Sequence, residues 1–144
     1  EKDKAKNMIG EQYKFSKLEQ VEKILNNIHE TEKIIIFSNH TKVFTDIIKI
    51  LNKTSKRYIE LDNADIDDIT SKIYDFKNNE DLNILMANTY THGAGLNLEF
   101  VDIIIIVHKM NDDLKKQLIA RAQRPGRSDQ LEVYQLLHLN EIEN

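Results

Sequence analysis

Apolar residues follow two patterns along the chain: short continuous runs, and longer segments in which they recur every three or four residues. Continuous runs are typical of strands buried on both faces, and the recurring pattern is typical of amphipathic helices. The runs predict strands at 33–37, 57–61, 82–87, 103–107 and 131–137. The recurring segments predict helices at about 17–29, 41–51, 65–76 and 112–124.

Residues at the ends of these segments support the predicted boundaries. Ser16 followed by Glu19 matches a capping box at the first helix, and Pro125 with Gly126 can end the last one. Strands and helices alternate with short connections, which is typical of a mainly parallel sheet flanked by helices. We therefore expect an α/β domain with three layers over 16–144, preceded by a charged arm over 1–15. In such folds ligands bind outside the carboxyl ends of the strands.

Length and composition narrow the class of protein. The 144 residues suit one domain, and because the first residue is Glu1 we expect a piece of a longer chain. Cysteine is absent, and no apolar run approaches the roughly 20 residues of a membrane span, so we expect an intracellular protein without a membrane partner. The formal net charge of −4 argues against a general cationic coat for nucleic acid. Residues 109–127 nevertheless carry six basic and two acidic side chains.

The segment 88–97, NTYTHGAGLN, is a candidate for anion binding. Gly93 and Gly95 would let backbone amides approach a phosphate, and Thr89 and Thr91 could add hydroxyl donors. A tight turn whose glycines serve only the backbone geometry is the alternative. A dinucleotide-binding fingerprint is excluded, since Leu98 stands where its third glycine belongs, and no GxxxxGK[ST] motif occurs in the chain.

Three of the four arginines of the chain lie within 121–127, at the end of the last predicted helix and just after it. On a helix, Gln117, Arg121 and Arg124 would lie within an arc of about 60° beside an apolar stripe, as expected at the rim of a cleft. The planar guanidinium can bind two phosphate oxygens at once, which lysine cannot do. The alternative is that cations near the end of a helix stabilise its dipole, by about 0.3–1 kcal/mol each.

Three segments together resemble a known family. QLIARAQR at 117–124 is similar to Q-x-x-G-R-x-x-R, motif VI of superfamily 2 helicases and translocases, with Ala120 in place of the glycine. Residues 88–98 resemble motif V, and KIIIFSNHTKVFTDII at 33–48 resembles motif IV. The stretch 117–137 looks most like that of Swi/Snf-type DNA translocases. The resemblance implies the C-terminal RecA-like lobe of such an ATPase, from a cellular or a viral source.

Roles for individual residues follow from this resemblance alone. Arg124 is similar to the arginine finger that reaches the γ-phosphate of ATP, Arg121 to its partner, and Gln117 to a member of the same interdomain network. Residues implied to couple nucleotide state to nucleic acid are Thr89, Gly93 and Gly95. Residues implied to contact the nucleic-acid backbone are Ser38, Asn39, His40 and Thr91.

The resemblance also implies cofactors and partners. ATP and Mg²⁺ would be bound in the full-length protein, mainly by an N-terminal RecA-like lobe, and duplex DNA would be the favoured track. The chain alone should be inactive, since it lacks Walker A and DExx motifs. The competing hypothesis is a noncatalytic α/β module that binds nucleic acid or protein through the basic helix at 109–127. We expect no metal site, because the five histidines lack the spacing of known ligand motifs.

Overall fold

The sheet lies at the centre of the domain. A computed structural model of the chain describes residues 4–9, 17–38, 41–54, 56–61, 66–88, 97–108, 110–123, 126 and 130–137. Its strands are β1 Lys4–Ile9, β2 Ile34–Ser38, β3 Arg57–Glu60, β4 Leu82–Asn88, β5 Ile103–Ile106 and β6 Glu132–Leu137. Its helices are α1 Lys17–Leu25, α2 Thr41–Leu51, α3 Ile66–Asn78 and α4 Asp112–Ala122. The described strands form one sheet in the order β1-β6-β5-β2-β4-β3, with parallel pairing throughout.

Helices cover both faces of the sheet and create two cores. In β2, Ile35 and Phe37 belong to the core under α3 and α4, while Ile34 and Ile36 belong to the core under α1 and α2. All residues of β2 and β5 are buried, which explains their continuous isoleucine runs. The expected α/β fold with three layers is confirmed.

The first strand corrects our expectation of a charged arm over 1–15. Lys4–Ile9 pairs in parallel with β6, from Lys4 opposite Glu132 to Ile9 opposite Leu137. This strand contains two lysines and an asparagine among its six residues, so it could not be predicted from a run of apolar residues. It lies at one edge of the described sheet, a position where lysine is common because it discourages pairing with other chains.

The last helix is shorter than predicted. It ends at Ala122, and Gln123 caps it with extended backbone angles of φ −71° and ψ 139°. Proline disfavours the helical conformation in the residue before it, so Pro125 favours an end ahead of Arg124. Gly126 has φ of 76°, a left-handed conformation that glycine adopts without strain. The prediction that the helix reaches residue 124 is therefore wrong by two residues.

Lys33 forms several hydrogen bonds at the amino edge of the sheet. Its backbone N–H donates to Oδ2 of Asp102 at 2.9 Å, and its Nζ donates to the carbonyls of Asn79, at 2.7 Å, and Leu82. The same ammonium group lies 5.0 Å from the centroid of the Phe76 ring. Partial burial lowers the pKa of Lys33, and nearby carboxylates oppose that shift. One lysine thus joins the start of β2 to the α3–β4 connection and to the start of β5.

Candidate functional site on the carboxyl edge and helix α4

At the carboxyl edge of the sheet, β2 and β4 end at adjacent positions. Ser38, the last residue of β2, is the register partner of Asn88, the last residue of β4. Ser38 is only 1% exposed, whereas Asn88 is partly exposed. The predicted contact residues Asn39, His40 and Thr91, and the predicted coupling residue Thr89, lie outside the described residues. The segments that resemble motifs IV and V therefore leave the sheet from adjacent positions.

Two lysines add positive charge near this edge. Nζ of Lys17, at the start of α1, donates to the Val107 carbonyl at 2.8 Å. Nζ of Lys115, on α4, donates to Oε1 of Gln135 at 2.9 Å, and Nε2 of Gln135 donates to the His108 carbonyl at 3.4 Å. Neither lysine was among the predicted site residues, although Lys115 lies within the basic segment 109–127. The one available signal was Gln135 itself, a polar residue inside the apolar strand VYQLL.

Helix α4 is fixed at its first turn by a side-chain cap. Oδ1 of Asn111 accepts from the backbone N–H groups of Asp113, at 2.8 Å, and Leu114, at 3.2 Å. Asp112 and Asp113 place negative charge in the first turn, where it favours the helix dipole. Leu118 and Ala122 are fully buried in the core and so set the rotation of the helix.

This rotation leaves Gln117 and Arg121 exposed. They are four residues apart and therefore share one face of α4, next to the buried stripe of Leu118 and Ala122. Arg124 lies outside the described residues, and the helix ends before it, so helical spacing gives no position for its guanidinium. Of the three side chains predicted to share one arc, the helix contains Gln117 and Arg121, and these two share one face.

A backbone hydrogen bond ties α4 to the segment that resembles motif V. The N–H of Leu98 donates to the carbonyl of Arg121 at 3.1 Å, and Leu98 is fully buried. The segment that leaves the carboxyl edge at Asn88 thus ends against the arginine-bearing turn of α4. Gly93 and Gly95 belong to this segment but lie outside the described residues. The chain itself connects the edge near Ser38 with the helix that carries Arg121.

Neither a metal site nor a membrane-spanning helix is found within the described parts of the chain. There, no group of three His, Asp or Glu side chains is arranged to hold a metal ion. None of the helices described is long and apolar enough to cross a membrane.

Comparison with known families decides the assignment. Residues 16–129 match the family described as the helicase conserved C-terminal domain. The chain belongs to this family. The match includes the segments that resemble motifs IV, V and VI, although it assigns no role to any residue within them.

Relatives of this helicase C-terminal domain are helicases and chromatin remodellers by name. It is 37% identical over 144 residues to "Putative helicase R592" of Acanthamoeba polyphaga mimivirus, covering 96% of this chain and 17% of the relative. It is 27% identical to the chromatin-remodeling ATPase INO80 of Lodderomyces elongisporus, covering 94% of this chain and 9% of the relative. It is 28% identical to the ATP-dependent helicase fft1 of Schizosaccharomyces pombe, covering 89% of this chain and 14% of the relative.

A solved structure supports the same assignment. The C-terminal part of the Fun30 ATPase domain matches with a TM-score of 0.77 and 26% identity, over 92% of this chain and 44% of that one. The predicted RecA-like fold and the resemblance to Swi/Snf-type proteins are thereby confirmed. The helicase C-terminal domain spans less than a fifth of the length of the relatives named above.

Proposed function

We propose that this domain is the second motor lobe of an ATP-dependent helicase or DNA translocase. The observation that carries the proposal is the exposed pair Gln117 and Arg121, on a helix whose last turn is bonded to Leu98. Such an arrangement presents polar groups to another domain, and it connects them to the segment that resembles motif V.

The arginines would complete a nucleotide site built mainly by another lobe. ATP with Mg²⁺ would be held by the N-terminal lobe of the full-length protein, because this chain contains no Walker A or DExx motif. Arg121 has an exposed guanidinium on the α4 face, which suits contact with a phosphate across a domain interface. Arg124 would be the arginine finger, which stabilises the charge on the transferring phosphoryl group and contributes about 10³–10⁵ in rate.

The carboxyl edge would contact the nucleic-acid backbone. Asn39, His40 and Thr91 follow the strand ends at this edge, and their polar side chains suit phosphate oxygens. Ser38 is buried, so its role would be to position the segment that follows it. Contacts with phosphate and sugar carry no sequence information, which suits an enzyme that moves along its track. Duplex DNA is the proposed track because the relatives include chromatin-remodeling ATPases, and an intracellular location follows from the same likeness.

The segment from Asn88 to Leu98 would couple the two activities. Its described ends lie beside Ser38 and at the carbonyl of Arg121, so it would link a change at the carboxyl edge to the last turn of α4. Thr89, Gly93 and Gly95 lie within it, and the two glycines would give its backbone the freedom to change conformation.

Substitution of Arg124 in the full-length parent tests the proposal. Arg124→Ala should reduce ATP turnover about 10³-fold or more and leave the dissociation constant for ATP nearly unchanged, because the group acts on the transition state. Arg121→Ala should also reduce turnover. Lys116→Ala is the matched control, since Lys116 is an exposed cation on another side of α4. Steady-state ATPase rates and equilibrium nucleotide binding are the measurements.

The possible results separate the motor from the noncatalytic module. Unchanged turnover in Arg124→Ala would refute the finger assignment. A parent gene without GxxxxGK[ST] and DExx sequences upstream of this domain would refute the motor itself. Loss of partner binding in Arg121→Ala, in a parent that does not hydrolyse ATP, would instead indicate a docking module. ATPase stimulation by duplex DNA, single strands and RNA, measured in parallel, identifies the track, and the isolated domain should hydrolyse no ATP.

A further inference from the structure

A buried glutamine lies beneath helix α4, among apolar residues of β6. Gln135 is 5% exposed and follows Val133 by two residues, so both project toward the core under α3 and α4. Oε1 of Gln135 accepts from Nζ of Lys115 at 2.9 Å, and Nε2 donates to the His108 carbonyl at 3.4 Å. Gln135 therefore joins β6 to α4 and to the β5–α4 connection. We call Gln135 and Lys115, with the His108 carbonyl, the α4 bridge.

Packing alone does not favour an amide at this position. Removing a polar group from water costs free energy unless its hydrogen bonds are replaced, and apolar side chains of similar volume often give equal stability. Ile106, the register partner of Gln135 on β5, occupies the matching position of the neighbouring strand with an apolar side chain in the same core. What Gln135 adds is a directional bond to Lys115.

The α4 bridge holds one flank of the helix, and the exposed polar pair lies on the other flank. Leu118 marks the buried stripe between them. At 100° per residue, Lys115 lies about 60° to one side of Leu118 and Arg121 about 60° to the other side. Gln117 lies about 40° beyond Arg121. A rotation of α4 about its axis therefore strains the bond from Lys115 and changes the direction of Arg121 and Gln117 together.

Apolar packing sets the rotation of α4 only within the tolerance of the core. The burial of Leu118 and Ala122 depends on the area removed from water and has little directional preference, whereas a hydrogen bond weakens steeply as its angle closes. The last turn is also held by its backbone, because the Arg121 carbonyl accepts from Leu98. The α4 bridge adds a directional side-chain restraint near the first turn. Both ends of the helix are thus tied to other parts of the domain.

Small rotations of α4 matter for the proposed phosphate contact. Side chains extend a helix to a radius of about 5–6 Å, so a rotation of about 10° moves a tip at that radius by about 1 Å. A displacement of about 1 Å can lower a reaction rate about 10²-fold. We propose that Gln135 is a positioning residue for ATP hydrolysis, which acts through Lys115 to direct Gln117 and Arg121 toward the nucleotide. The inference rests on the proposed function.

Four variants of the full-length parent test the α4 bridge. Gln135→Leu removes the acceptor for Lys115 at similar volume, and Lys115→Met removes the donor but keeps an unbranched chain. Gln135→Glu keeps an acceptor for Lys115 and loses the donor to the His108 carbonyl. Lys116→Met is the matched control, since Lys116 is an exposed lysine of the same helix. The measurements are ATP turnover at saturating ATP and duplex, the dissociation constant for ATP, and the urea midpoint of unfolding.

The expected result is a loss of turnover without a matching loss of ATP binding. Turnover in Gln135→Leu and in Lys115→Met should fall about 10- to 100-fold, because the misdirected groups act on the transition state and not on the bound substrate. Gln135→Glu should recover most of the turnover, since a carboxylate accepts from an ammonium group at least as strongly as an amide does. Lys116→Met should change none of the three quantities.

A double apolar variant separates positioning from stability. Gln135→Leu with Lys115→Met removes both side-chain partners together, so neither is left buried without the other. Its urea midpoint should match that of the wild type, because apolar residues of similar volume often replace a buried polar pair without loss. Its turnover should stay as low as in the single variants. A side-chain pair that served stability alone would give the opposite result.

A double-mutant cycle identifies the groups that the α4 bridge directs. In a parent that already carries Gln117→Ala and Arg121→Ala, Gln135→Leu should lower turnover by less than about threefold, because the side chains that it positions are absent. Equal fold losses in the two backgrounds would show that the α4 bridge acts independently of this pair.

Two further outcomes would overturn the inference. Turnover in Gln135→Glu as low as in Gln135→Leu would show that the acceptor for Lys115 is not the feature that matters. Lower urea midpoints in the bridge variants, with unchanged turnover of the folded protein, would show that the α4 bridge serves stability alone. A failure of the proposed function is distinguishable, because Arg121→Ala and Arg124→Ala would then leave turnover unchanged as well.

Discussion

Polar and charged residues have opposite surroundings at the amino edge of the sheet and on the exposed face of α4. At the amino edge, Lys33 donates to two backbone carbonyls and Asn83 donates to the Glu30 carbonyl at 2.5 Å, so the polar groups there bind other parts of the same chain. On α4, Gln117 and Arg121 are exposed beside a buried stripe. The surroundings of a charged residue, rather than its type, thus indicate whether it serves stability or binding. Substitutions at the two places should therefore have different effects.

The largest loss of stability is expected at Phe76, beneath Lys33. Its ring is fully buried and meets Phe100 edge to face, with centroids 5.5 Å apart. Phe76→Ala should lower the free energy of unfolding by about 3–5 kcal/mol, measured by urea denaturation, because it removes an aromatic ring and leaves a cavity. Tyr74→Ala, at a side chain of the same helix that is 67% exposed, is the control and should change it by less than about 0.5 kcal/mol. Similar losses in both variants would show that this edge is not a packed region.

A smaller loss is expected at Lys33 itself. Lys33→Met keeps an unbranched apolar chain near Phe76 but removes the donor to the carbonyls of Asn79 and Leu82. The free energy of unfolding should fall by about 1.5 kcal/mol, the lower part of the range for charged hydrogen bonds, because the ammonium group is partly exposed. Lys77→Met, at an exposed lysine of α3, should have almost no effect. Equal stability of the two variants would contradict the role of Lys33.

On the α4 face, substitution should leave stability almost unchanged. Arg121→Ala keeps the carbonyl that accepts from Leu98 and removes only an exposed side chain, so the free energy of unfolding should change by no more than about 0.5 kcal/mol. Thermal unfolding followed by circular dichroism measures it. A loss above about 1 kcal/mol would show that Arg121 is structural and would weaken the argument that its guanidinium serves another domain.

Much of the fold could be predicted from local sequence patterns. The isoleucine runs of β2 and β5, and the regular apolar spacing of α2, report burial directly because each residue reflects its own surroundings. The strand Lys4–Ile9 could not be predicted in this way, since backbone pairing with residues 132–137 creates it. The early end of α4, at Ala122, is favoured by Pro125, which disfavours the helical conformation in the residue before it, a preference that apolar spacing does not record.

The candidate site, like the fold, could be predicted only in part from the sequence. The exposed face with Gln117 and Arg121 follows from helical spacing, and the resemblance supplied roles that spacing cannot give. The bond from Leu98 to Arg121 and the donation from Lys17 to Val107 join residues distant in sequence, so no local pattern encodes them.

Tyr134, at the amino edge, combines a hydrogen bond within the chain with partial exposure to solvent. It lines a cavity of about 350 Å³ between α1 and the starts of β5 and β6, and its hydroxyl donates to Oε1 of Glu132 at 2.9 Å. Burial, the hydrogen bond to Glu132 and nearby carboxylates together raise the pKa of Tyr134 to about 12. This group is partly internal, like Lys33, and partly open to solvent, like Arg121.

The contribution of Tyr134 to stability should depend on pH. The tyrosine pKa in an unfolded chain is about 10, so between pH 10 and 12 the folded protein holds a proton that the unfolded chain releases. The stabilisation from Tyr134 is complete below pH 10 and is lost as the pH rises through about 12. The free energy of unfolding of the wild type should exceed that of Tyr134→Phe by a constant amount at pH 7–9, about 0.5 kcal/mol for one partly exposed hydrogen bond. This difference should become smaller at pH 11. Urea midpoints at pH 8, 9, 10 and 11 measure it, and a difference that stays constant or grows at pH 11 would mean that the fold does not hold the Tyr134 proton.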